Sequence, residues 1–182
     1  WFCPRFVYVL HDEEVPFFST VHVMQSTFNS ISPLAYCSTE YEAGMLGLVL
    51  RGMLERVNAW MDDKAFYESR VMTKAGMRRK FASDSEHFAH SHLGALHRVW
   101  HNSLGSILSN GLGSGEYMHI RSALVVLARL QKVFPTLRTA GETLKTKLAA
   151  LEADERQDIS LMARTLRSRI AQKTLQEDVP PR

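Results

Sequence analysis

Hydrophobic residues recur every three or four positions along nearly the whole chain, the period of helices buried on one side. Residues 2–11 predict a short helix with Pro4 in its first turn, where a missing N–H costs nothing. Residues 12–16 predict a loop. From Phe17 the apolar positions Val21, Met24, Phe28 and Ile31 predict a second helix, which Pro33 interrupts or kinks. Thr39 then offers an N-cap with Glu42 three residues on, the pattern of a capping box. The longest run follows, with Leu46, Val49, Leu50, Met53, Leu54, Val57, Trp60 and Met61 on one broad face and Arg51, Glu55 and Arg56 outside it. Asp62 and Asp63 end that helix and cap a short one over residues 64–70.

Residues 71–83 are the least regular part. They predict a mobile loop in which Lys74, Arg78, Arg79 and Lys80 cluster without an apolar stripe. Asp84 is the expected cap of the next helix, whose inward face is read as Phe88, Leu96, Val99, Trp100, Leu104, Ile107 and Leu108. Trp100 is expected to be buried against the stretch 124–130. Residues 110–113 stop this helix, with glycine available for a left-handed C-terminal turn. Ser114 caps again, and Glu116 sets negative charge against the positive end of the next helix. Ile120, Leu124, Val125, Leu127 and Leu130 make that helix apolar over most of its circumference, so it is expected to be the most buried. Phe134-Pro135 ends it. Two more amphipathic helices follow: residues 136–152 with Leu137, Ala140, Leu144, Leu148 and Leu151 inward, and residues 155–173 with Ile159, Met162, Leu166 and Ile170 inward.

No alternating strand pattern and no Asn-Gly or Asp-Gly hairpin signal appears. The expected fold is therefore all-α, with about seven helices stacked as antiparallel helical hairpins. A bundle and a HEAT-like α-solenoid both satisfy the pattern, and no repeat of fixed period separates them. Residues 1–173 read as one helical region and residues 174–182, ending in Val179-Pro180-Pro181, as a frayed tail or linker.

Composition narrows the classes. A chain of 182 residues, 45% hydrophobic and 23% charged, has one domain's length and an ordinary globular balance. No stretch approaches the ~18 uninterrupted apolar residues of a membrane helix, so no membrane partner is expected. The sequence opens at Trp1 without a charged segment or cleavage site, and reads as a piece of something longer. Net charge is +3, unevenly placed: residues 1–63 carry 3 Lys/Arg against 8 Asp/Glu, and residues 121–182 carry 12 against 7. An acidic front and a basic rear fit partners of both signs, or simply an uneven surface. Cys3 and Cys37 are too few for a disulfide framework or a four-thiolate zinc site, and are expected as buried, reduced thiols.

Candidate chemistry is sparse. His87, His90, His92, His97 and His101 fall within fifteen residues, and His97 and His101 share a helix face. Yet Arg98 and Val99 follow His97 where a zinc-protease motif needs glutamate, and no cysteine is near, so hydrogen-bonded or solvated imidazoles are expected and no metal. There is no Gly-x-Ser-x-Gly elbow and no paired carboxylate. Gly111-Leu112-Gly113-Ser114-Gly115 follows a helix rather than a strand and lacks the Gly-Lys ending of a phosphate loop, so it reads as a helix-to-helix turn. An enzyme is not expected, nor a cofactor. Two cationic groups remain as candidate nucleic-acid contacts: Lys74, Arg78, Arg79 and Lys80 in the irregular segment, and Arg164, Arg167, Arg169 and Lys173 on the last helix. Arg164 and Arg167 share one face, and Arg169 and Lys173 another. Such residues can meet phosphates through charge and reach alone, or can complement the helix dipole. The aromatic interleaving of a base-stacking surface is missing.

Several runs carry a family resemblance. They are Pro4-Arg5-Phe6-Val7, Cys37-Ser38-Thr39-Glu40-Tyr41-Glu42-Ala43, Met53-Leu54-Glu55 with Trp60 and Asp63, and Tyr67-Glu68. Val99-Trp100-His101 and Leu104 follow, then the most specific run, Ser114-Gly115-Glu116-Tyr117-Met118-His119-Ile120-Arg121, with Ala123-Leu124-Val125-Val126-Leu127 and Phe134-Pro135 after it. In this order and spacing, from about residue 4 to 172, the chain resembles the conserved C-terminal helical region of the THO complex subunit 2 family. It departs after Tyr67-Glu68, where the family has a Cys-Gly-Asn-Tyr-Pro-Gly-Phe-like stretch and this chain has Ser69-Arg70-Val71-Met72-Thr73-Lys74-Ala75-Gly76-Met77.

The resemblance implies an α-solenoid segment of a large nuclear scaffold subunit. Its implied partners are the other THO subunits and the DEAD-box RNA-dependent ATPase of TREX, the assembly that packages nascent mRNA and supports its export. The leading expectation is therefore a non-catalytic scaffold. The alternative is a helical module that binds RNA or DNA directly through its basic C-terminal helices.

Overall fold

The computed structural model describes residues 2–80 and 86–176. Its regular structure is helical: α1 (Phe2–Asp12), α2 (Thr20–Asn29), α3 (Ile31–Cys37), α4 (Glu40–Asp62), the single turn α5 (Lys64–Phe66), α6 (His90–Leu112), α7 (Tyr117–Leu130), α8 (Arg138–Leu151) and α9 (Gln157–Ala171). A break at Ser30 divides the second predicted helix in two, and the short helix predicted over residues 64–70 is α-helical only over Lys64–Phe66. Ser30, not Pro33, separates α2 from α3: its N–H closes α2 on the Ser26 and Thr27 carbonyls, and its hydroxyl donates to Ser26 O. Pro33 then stands in the first turn of α3, where no helical donor is needed.

The helices lie in two rows. One row runs α1, α4, α7, α9, each in contact with the next; the other runs from α2 and α3 through α6 to α8. Sequence neighbours α1 and α2, α3 and α4, α6 and α7, and α8 and α9 pack across the rows. The broadest contact is α4 on α7, and α7 buries Ile120, Ala123, Leu124, Val126, Leu127 and Leu130. That helix has neighbours in both rows, which is why its apolar residues occupy so much of its circumference. The capping box of α4 forms as expected, with Thr39 Oγ1 accepting from Glu42 N–H and the Glu42 carboxylate accepting from Thr39 N–H at 2.9 Å.

Some expectations about faces and caps are corrected. The inward stripe of α6 is Leu93, His97, Trp100, His101, Leu104, Leu108 and Leu112, while Val99 is 56% exposed. Hydrophobicity alone turns this face wrongly, because two inward positions are histidines. Trp100 is buried, but its stacking partner is Phe28 of α2, ring centroids 5.1 Å apart, with the indole N–H donating to Gln25 Oε1. Asp84 lies outside the described residues, and α6 begins at His90 with Ala89 as its N-cap. The left-handed glycine of the α6–α7 turn is Gly115 (φ +78°), whereas Gly113 closes α6 at φ −98°. Glu116 holds the N-cap position of α7, and Ser114 instead accepts the Glu116 N–H in the turn before it. Cys3 and Cys37 are exposed, not buried; one sits in the first turn of α1 and the other is the last residue of α3, at helix ends that neighbouring helices leave uncovered.

The segment from residue 67 onward is irregular but anchored. A π-helical turn (Tyr67–Val71) and a 3-10 turn (Ala75–Met77) lead to a single β-bridge between Arg78 and His87. Met77 and Tyr67 are buried, and Tyr67 OH donates to Phe88 O at 2.6 Å. Gly76 passes so close to α2 that an added Cβ would lie 2.6 Å from Thr20 Oγ1 and 3.1 Å from His11 Nδ1. This strap is therefore pinned through tertiary contacts rather than a stripe of its own. At the other end, residues 174–176, placed in the tail by sequence, run beside the start of α8: Arg138 N–H donates to Gln176 O, and Gln176 N–H to Thr136 O. Residues 177–182 lie outside the described part.

Candidate functional site

Each cationic candidate has a definite setting. In the strap, Lys74 Nζ donates to the Asp12 carbonyl at 2.8 Å and stands 3.8 Å from the Glu14 carboxylate. Arg79 pairs with Glu86 at 3.2 Å, and Lys80 is also engaged. Arg78 is half-buried, with its Nε enclosed and without a hydrogen bond. Lys74 thus holds the strap to α1, and Arg79 holds it to itself.

Along α9 and just past its end, the four residues divide between two faces, as their spacing predicts. Arg164 and Arg167 line an open groove of about 570 Å3 between α8 and α9, with Lys145, Thr146, Ala149, Glu152, Ser168 and Ala171. Arg167 grips Glu152 through Nε and Nη2, at 2.5 and 3.0 Å. Lys145 pairs with Glu142 at 2.6 Å. Arg164 is exposed and makes no ion pair among the described residues. Arg169 turns the other way and donates to Gln131 of the connection after α7. Lys173 reaches inward to the carbonyls of Phe134 and Pro135 at 3.0 and 3.3 Å. Burial pushes its ammonium down to about 8. The two cationic groups thus sit on different elements, and the α9 group is itself split.

The histidines are largely structural. His97 and His101 are buried with ring centroids 4.1 Å apart. His97 Nε2 meets Asn58 Oδ1 of α4 at 2.9 Å, and His101 Nδ1 meets Thr136 Oγ1 at 3.3 Å. Burial, reinforced by the Arg98 charge, pushes His97 down to about 4. His101 is held well below the ordinary range by burial first, then by His97 and Lys173. Both rings are therefore neutral at pH 7, and they join α4, α6 and the start of α8. Among the described residues no three His, Cys, Asp or Glu side chains are placed to share a metal ion. No helix among them is long and apolar enough to cross a membrane.

Two features escape a reading by sequence alone. Arg121, in the most specific sequence run, ties three helices: it bonds Glu40 at 2.9 and 3.2 Å, stands 3.4 Å from Asp158, and donates to Met162 Sδ. Arg129 lies across α4 beside Gly44 and Gly47. The available signal was glycine itself. Gly44, Gly47 and Gly52 within one helix each cost about 1 kcal/mol against alanine, which marks a close approach from outside the helix.

Fold and surfaces together define an all-helical segment whose buried polar groups serve its packing and whose outer faces carry spare charge and uncovered apolar side chains. The chain belongs to the family described as transcription factor/nuclear export subunit protein 2 (Tho2), which matches it over residues 1–170. THO complex subunit 2 of Arabidopsis thaliana is 31% identical over 164 residues, covering 89% of this chain and 9% of the relative. The proteins of the same name from Mus musculus and Homo sapiens are each 30% identical over 177 residues, covering 89% of this chain and 11% of their own length. The chain therefore spans only 9% to 11% of the curated relatives it matches. No solved structure matches it.

Proposed function

We propose that this chain is a non-catalytic docking segment of a THO complex subunit. On this reading it forms part of a nuclear α-solenoid scaffold that holds other THO subunits and positions the DEAD-box RNA-dependent ATPase for mRNA packaging and export. The observation that carries the reading is the family match across residues 1–170. The two-row stacking of helices supports the solenoid, since each added pair buries its apolar face on the last. A scaffold alters an ATPase only by binding one arrangement of it better than another. The test is capture of purified THO subunits and ATPase on the immobilised chain, with ATP turnover measured alongside. Retention of at least one THO subunit, and no turnover by the chain alone, is expected; a chain that retains none, or that turns over substrate itself, contradicts the reading.

A second reading is favoured by the unpaired Arg164 at the α8–α9 groove: the segment contacts RNA or DNA phosphates there, with Arg167 beside it. Of the other candidates, Arg169 and Lys173 face away, Lys74 and Arg79 are bonded within the strap's own setting, Arg78 is half-buried, and Lys80 is engaged. Titration with RNA at several salt concentrations tests this. Binding that weakens steeply with salt, with a slope flattened by Arg164→Glu, supports phosphate contact; absence of binding at low salt removes it.

A further inference from the structure

Between α4 and α7 runs an open groove of about 420 Å3, lined by Glu40, Tyr41, Gly44, Met45, Val125 and Arg129. Glycines shape it. A Cβ added at Gly47 would lie 2.7 Å from Arg129 Cβ, so only a bare backbone there lets the arginine stem cross α4. At Gly44 an added Cβ would lie 3.9 Å from Arg129 Nε and Nη2 and 3.7 Å from Val125 Cγ1, so the guanidinium rests over that glycine beside the apolar wall. Tyr41 is 77% and Met45 39% exposed, unusual for large apolar side chains on the outside of one groove. Arg129 makes no ion pair or hydrogen bond with the described residues. Glu40, the one carboxylate in the groove, is already held by two bonds from Arg121. The unmatched charge is thus positive, exposed, and flanked by uncovered apolar surface.

We propose that this groove docks an acidic protein segment, which sets an aliphatic or aromatic side chain on Tyr41, Met45 and Val125 and a carboxylate on Arg129. The proposal names a partner-facing site for the docking function above and rests on it. A guanidinium offers a carboxylate a planar fork, and the Gly47 crossing directs the start of this side chain across α4 toward the groove. Covering Tyr41 and Met45 removes apolar area from water. A phosphate backbone matches only half of this chemistry, because it offers nothing to Met45 or Val125.

The test titrates the 182-residue chain, by fluorescence anisotropy, against a labelled amphipathic peptide of Leu and Glu and against its Leu and Lys counterpart. The Glu peptide is expected to bind about tenfold tighter, and Arg129→Glu to reverse the order. Gly44→Leu is expected to abolish binding of both by filling the groove. The first carbon of that side chain sits at ordinary contact distance; should the rest of it unsettle the fold in thermal unfolding, Arg129→Glu on the surface supplies the same information. Equal affinity for the two peptides, no binding of either, or binding unchanged by Gly44→Leu overturns the proposal. So does a uridine oligonucleotide that binds tighter than the Glu peptide and is lost in Gly44→Leu. Peptide binding through the groove by a chain that captures no THO subunit counts against the THO docking function alone. Capture that survives Gly44→Leu, with no peptide binding, counts against the groove alone.

Discussion

The strap between α5 and α6 and the α8–α9 pair each carry a cluster of four cations, yet they use them differently. On α9, Ile159, Ala163, Leu166 and Ile170 form a stripe that buries itself on α8 and α7. The stripe holds the helix, so its polar face has charge to spare, Arg164 above all. The strap has no stripe. It is held by Met77, by the close passage of Gly76 and by Lys74 on the Asp12 carbonyl. Lys74 and Arg79 are therefore part of its structure. A cationic cluster on a regular amphipathic helix is a better candidate for a partner than the same cluster on irregular chain, whose polar groups must satisfy the chain itself.

The comparison can be broken in several ways. Trp100→Ala sets the scale for the helical core: loss of its stack on Phe28 should cost ~3–5 kcal/mol in denaturant unfolding, and a loss below about 1 kcal/mol would mean the core is not centred there. Met77→Ala should cost about 2–5 kcal/mol although it lies in irregular chain, because the side chain is fully buried; a near-neutral effect would show the strap to be loosely held. Acid should act on the helical side. His97 is lowered from 6.5 to about 4 in the fold, so as pH falls below about 6.5 the unfolded chain takes up the proton first. Stability is then full above that range and falls by roughly 3 kcal/mol down to pH 4. His97→Gln should flatten that fall, and a pH profile unaltered by the substitution would refute the assignment. Smallest is the contrast between the clusters: Lys74→Ala should cost about 1 kcal/mol, whereas Arg164→Ala should stay within about 0.5 kcal/mol. Equal losses would erase the distinction between them.

What the sequence discloses follows the same divide. The faces of α8 and α9 and the capping box at Thr39 are legible because each depends on residues three or four apart. The strap is not, because Gly76 matters only through Thr20 and His11, more than fifty positions away. Val99 and the two cysteines mislead for a related reason: one residue's hydrophobicity does not say which way it faces, and on α6 the inward places went to His97 and His101. The spacing of the α9 cations predicts their two faces, but not that Arg167 is matched by Glu152 or that Lys173 points at the Phe134 carbonyl. Arg129 falls in an apolar run, and only glycines on another helix give its side chain a place to lie.

Chemical cross-linking of an intact THO complex containing this chain tests the central claim, that its outer faces dock neighbouring subunits. The account predicts cross-links from the exposed Lys132 just after α7 and from Lys145 at the α8–α9 groove to other subunits, while Lys74 links only within its own chain. Cross-links from Lys132 and Lys145 that all return to this chain would contradict it.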